Sequence, residues 1–104
     1  MAKARRFDAA EYLDSPAAIA DYLTEAFETG DSEFIAEAIG TVARSVGMSC
    51  VAEIAGLSRE NLCRTLGIGG HPEFETVMKV LNALGVQLAA KPKEAKEKEL
   101  VDAA

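Results

Sequence analysis

The most constraining feature of this 104-residue chain is its punctuation by glycine, with Gly30, Gly47, Gly56 and Gly85 each standing just past a short run of apolar residues at helical spacing. Glycine is favoured one step beyond a helix end, so the pattern predicts several short amphipathic helices and leaves little room for a sheet. The first starts cleanly, with Ser15 as cap and Pro16 at the first helical position, where its missing N–H is not needed. Ile19, Tyr22, Leu23, Ala26 and Phe27 then form one stripe. A second helix begins near Asp31 or Ser32, with Ile35, Ala38, Ile39, Val42 and Val46 as its buried face. A third begins at Ser49 and carries Val51, Ala52, Ile54 and Ala55, and a fourth runs from Ser58 through Leu62 to about Leu66. Gly67, Gly69, Gly70 and Pro72 make a loop, and a fifth helix follows with Phe74, Val77, Met78, Leu81 and Leu84 on its core face.

Beyond Gly85 the period changes. Val86-Gln87-Leu88 alternates apolar and polar, which predicts a short strand whose partner is either unseen in the chain or belongs to another copy. The expected architecture is all-α, a five-helix bundle with a short C-terminal strand. Residues 1–14 form an N-terminal arm, 15–90 the helical domain, and 91–104 a charged flexible tail without a buried stripe.

Composition narrows the function classes. Hydrophobic residues at 49% and charged residues at 27% suit one soluble domain, and three prolines do not suit a largely disordered chain. No apolar run approaches the roughly 18 residues of a membrane span, so a soluble, cytoplasmic protein with no membrane contact is expected. Cys50 and Cys63 are too few for a disulfide scaffold, and both sit in apolar stretches, so buried reduced thiols are expected. His71 is the single histidine, which leaves no ligand set for zinc and no base beside a nucleophile; no cofactor and no enzymatic activity are expected. The loop Gly67-Ile-Gly-Gly70 follows a helix and precedes a proline, the wrong setting for a dinucleotide fingerprint.

Charge is uneven. The net charge is −6, yet residues 7–40 hold nine acids and no base, whereas residues 1–6 hold three bases and no acid, and Arg44, Arg59 and Arg64 lie in 41–71. The acidic stretch reads as a solvated face, or as a surface that steers a basic partner.

Function is concentrated in 48–66. Ala52, Gly56 and Leu62 fall at the spacing of a helix-turn-helix: a small residue where the second helix crosses, a turn residue tolerating positive φ, and an apolar anchor that locks the second helix. Val51, Ala55 and Leu57 complete the wedge. Here the sequence resembles the Cro/repressor-type helix-turn-helix superfamily and, more narrowly, the HigA-like addiction-module antidotes. The motifs carrying that resemblance are Phe7-Asp-Ala-Ala-Glu-Tyr-Leu13, Gly56-Leu-Ser-Arg-Glu-Asn-Leu62, Pro72-Glu-Phe74 and Val77-Met-Lys-Val-Leu-Asn-Ala-Leu-Gly85, so it spans about 7–90. Two departures stand out: Cys50, where family members commonly have glutamine, and Cys63, where they commonly have an aromatic residue. Both bear on affinity more than on fold.

The resemblance implies that the helix over 58–66 is a recognition helix lying in the major groove. With Leu62 inward, helical periodicity puts Arg59, Glu60, Cys63 and Arg64 on the outward face. Arginine can pair bidentately with guanine and glutamate can accept from cytosine. Ser58 would turn its hydroxyl and the helix amides toward a phosphate, with Arg44 and Lys79 as further backbone contacts. The alternative for Glu60 and Arg64 is a plain surface ion pair at i, i+4. Asn61 lies off the expected groove face and is expected to be solvated, as is His71.

The function implied is a sequence-specific antitoxin that binds palindromic double-stranded operator DNA as a homodimer, represses its own operon and neutralises a RelE-like toxin. The 86–88 strand would then pair across the dimer axis. Two alternatives share the sequence features: a solitary prophage-type regulator, and an acidic protein-interaction adaptor.

Overall fold

A computed structural model describes residues 15–93. The expected N-terminal arm over 1–14, with the motif at 7–13, and residues 94–104 of the expected tail lie outside the described residues. Among the described residues the chain forms five helices: α1 Pro16–Glu28, α2 Ser32–Val46, α3 Met48–Ala55, α4 Arg59–Thr65 and α5 Phe74–Ala83.

Local chemistry sets the boundaries. The Ser15 side chain accepts from the Ala18 N–H at 3.2 Å, capping α1 with Pro16 as its first residue. At the far end Thr29 Oγ1 donates to the Ala26 carbonyl at 2.7 Å and accepts from the Asp31 N–H at 3.1 Å. Asp31 Oδ1 in turn accepts from the Glu33 and Phe34 amides at 3.1 and 3.3 Å, which starts α2. Gly47, at φ 120, is the whole connection between α2 and α3, and the chain turns there by 103°. Its N–H closes α2 on the Ala43 carbonyl at 2.8 Å while its carbonyl accepts from the Val51 N–H at 2.9 Å.

The core is shared by all five helices, with α1 joining it through Ile19, Leu23 and Ala26 and packing on α2. Leu23, Ile39, Val42, Val51, Leu62, Leu66 and Val80 are fully buried in it. Burying a side chain such as Leu62 contributes about 1.5–3 kcal/mol relative to leaving it exposed. No polar or charged residue is buried among the described residues, so the interior carries no desolvation cost to offset. No single described helix is long and apolar enough to cross a membrane.

Several expectations are corrected. Val86-Gln87-Leu88 is not a strand: the Val86 N–H caps α5 by donating to the Leu81 carbonyl at 3.1 Å, and its side chain packs on the core. A strand needs a neighbour to take its backbone hydrogen bonds, and the described residues of one copy contain none. The segment continues past the end of α1, where Lys91 Nζ pairs with Glu28 Oε2 at 3.4 Å.

The apolar stripes are wider than the buried arcs. Val46, Ile54, Phe74 and Met78 are 40, 61, 70 and 47% exposed. Ala36, Gly40 and Ala43 in α2, and Val80 in α5, are buried instead. Cys50 and Cys63 are also exposed, because the residues beside them, Val51 and Leu62, take the inward positions.

Candidate nucleic-acid interface

The α3–turn–α4 unit is built from three residues and two caps. Gly56 adopts the left-handed conformation (φ 74, ψ 32), which an L side chain enters only with strain. The Leu57 N–H then reaches back to the Ala52 carbonyl at 2.9 Å, closing α3 in a Schellman-like turn. Leu57 packs on the core, and Ser58 swings out extended and accepts from the Asn61 N–H through its Oγ at 3.0 Å, starting α4. Ala52, 3% exposed, leaves room for the second helix, and Leu62, 0% exposed, anchors it. Ala52, Gly56 and Leu62 thus occupy the roles that their spacing predicts.

Arg59, Glu60, Cys63 and Arg64 are all exposed on α4, with Ser58 exposed at its start. The ion pair that is the alternative reading of Glu60 and Arg64 is not formed. Arg64 Nη2 instead donates to Asn61 Oδ1 at 2.6 Å, and Asn61 is half-buried rather than free in solvent. A guanidinium has five donors, so this contact leaves most of its hydrogen-bonding edge open and its charge uncompensated.

The two outlying cations sit on other helices. Arg44 lies in the last turn of α2 and Nη2 reaches Thr41 Oγ1 at 3.4 Å. It folds over Gly40, where α2 comes closest to Leu66 at the carbonyl end of α4. A cation there is favoured by the exposed carbonyls of a helix end. Lys79 lies on α5 and pairs with Glu75 at 3.3 Å, with the two side chains 46 and 75% exposed. Such an exposed pair is worth about 0.3–0.5 kcal/mol and gives way readily to a stronger partner. The structure therefore gathers Ser58, Arg59, Glu60, Cys63 and Arg64 on one short helix, brings Arg44 to its end, and leaves Lys79 on a separate element.

Asn61 is the residue missed from sequence. Its signal is the spacing: positions three apart on a helix are neighbours, and Asn61 precedes Arg64 by three.

Comparison with known proteins adds the family. The family model described as "Probable addiction module antidote protein" matches residues 3–92. A Haemophilus influenzae relative, described as an uncharacterized protein, is 46% identical over 81 residues, covering 78% of this chain and 84% of that protein. No solved structure matches at a significant level. With a family match over residues 3–92 and a 46% identical relative covered over most of its length, the chain belongs to the addiction-module antidote family, whose members have a toxin as their counterpart.

Proposed function

We propose that this antidote is a Cro/repressor-like helix-turn-helix protein that binds operator DNA sequence-specifically, represses its own toxin–antitoxin operon and neutralises a RelE-like toxin. The reading is of a cytoplasmic, non-enzymatic protein. One observation carries the DNA part: Leu62 is fully buried while Arg59, Glu60, Cys63 and Arg64 are exposed together on α4. A short, exposed, arginine-bearing helix presented beyond a tight turn fits the roughly 12 Å major groove.

In this reading Arg59 and Arg64 contact guanine edges and Glu60 accepts from cytosine. Ser58 and the first amides of α4 meet a phosphate, while Arg44 and Lys79 touch the backbone. Cys63 stands at the groove face as a small, weakly polar contact. The protein binds as a homodimer on a palindromic site, with half-sites about one helical turn apart. The exposed acids Asp21, Glu25, Glu28, Asp31 and Glu33 on and between α1 and α2 suit a basic toxin.

The test is a titration of the DNA upstream of the gene, repeated across a salt series. Counterion release makes log K fall with log [salt] by roughly 0.9 for each phosphate contacted. Arg64→Ala is expected to weaken specific binding by about 1–3 kcal/mol. Binding that is absent, or indifferent to salt, overturns the DNA reading and favours the acidic adaptor.

A further inference from the structure

Arg64 has a choice of partners on α4. Glu60, one turn back, offers a carboxylate, and Asn61, three residues back, offers a neutral amide oxygen. The guanidinium goes to Asn61, with Nη2 to Oδ1 at 2.6 Å, and no ion pair joins Arg64 to Glu60. The backbone of Asn61 is held by the cap, its N–H donating to Ser58 Oγ at 3.0 Å, and the residue is half-buried beside the anchor Leu62. Ser58, Asn61 and Arg64 lie along one side of α4, the cap holding the backbone from which the Asn61 side chain accepts from the guanidinium.

A free arginine samples many rotamers, and freezing them on binding costs about 0.5–1.5 kcal/mol for a long side chain. A carboxylate partner would hold the side chain still but would also neutralise it and compete with a base or phosphate for the same donors. A neutral amide holds it still and does neither. We propose that Asn61 is a positioning residue for base recognition: it pre-orients the Arg64 guanidinium, and so determines how sharply the base opposite Arg64 is discriminated. The inference rests on the DNA-reading role of α4 proposed above.

The test is a panel of single-base operator variants titrated against wild type, Arg64→Ala, Asn61→Ala, Asn61→Asp and the double variant. Arg64→Ala identifies the position at which discrimination collapses. Asn61→Ala is expected to lower discrimination at that same position by about three- to tenfold and to leave the other positions unchanged. It is expected to add nothing on top of Arg64→Ala. Asn61→Asp keeps an acceptor at the same reach, but its carboxylate competes with the base for the same donors, so it is expected to lower affinity for every site and also to lower discrimination at that position. A merely structural role for Asn61 would move the melting temperature and all sites together. Full discrimination in Asn61→Ala, or a loss spread evenly over the site, overturns the inference while base reading by Arg64 stands. A wild-type protein with no sequence preference overturns both.

Discussion

Gly40 offers a test in which two physical effects have opposite signs. It lies inside α2 and is buried, so helix propensity alone says that Gly40→Ala should stabilise by about 0.5–1 kcal/mol. The packing says otherwise. A Cβ at that position would stand 2.5 Å from the Leu66 backbone carbonyl and 3.3 Å from both Leu66 Cβ and Arg44 Nη1. The arginine can swing aside, but the carbonyl terminates α4 and cannot move without moving the helix. Overpacking a fitted core costs about 1–3 kcal/mol, and an overlap with backbone belongs at the upper end of that range. The net expectation is a loss of about 2 kcal/mol, which for a domain of this size lowers the melting temperature by roughly 8–16 °C. Thermal and urea unfolding followed by circular dichroism measure it, with Ala20→Gly on the exposed side of α1 calibrating the propensity term. A Gly40→Ala protein that melts at or above the wild-type temperature would refute the close approach of α2 to the end of α4.

Two other expectations follow from burial. Leu62→Ala leaves a cavity under α4 and should cost about 2–5 kcal/mol, whereas Phe74→Ala, at a residue 70% exposed, should cost less than about 1 kcal/mol by urea unfolding; equal costs would contradict the burial pattern. Cys50 and Cys63 are both exposed and free, so a thiol reagent should titrate two equivalents from the native protein without denaturant; one or none would place a thiol inside.

The helix ends were legible because their chemistry is local. Ser15, Ser58 and the glycines after α1, α3 and α5 act through residues no more than a few positions away, and each does what its neighbours require. The turn at Gly56 was legible for the same reason, and with it the outward set on α4. What the sequence concealed depends on distant partners. Phe74 and Met78 share an apolar stripe with Leu81, yet of α5 the packing buries Val80 and Leu81 and leaves Phe74 and Met78 exposed. The cysteines have apolar neighbours along the chain yet are exposed, since one step along a helix turns a side chain by about 100°. Three alternating residues after Gly85 imitate a strand, although Val86 is spent on capping α5. Gly40 reads as an ordinary weak point in a helix until Leu66 is seen against it.

The manner in which α4 is held has a consequence for its surface. Leu62 within the helix and Leu66 at its end are fully buried, whereas Arg59, Glu60, Cys63 and Arg64 are exposed. Anchorage and exposed chemistry are thereby uncoupled. Those four surface positions can be rewritten with little penalty in folding, so the scaffold tolerates change in the chemistry that α4 presents to solvent.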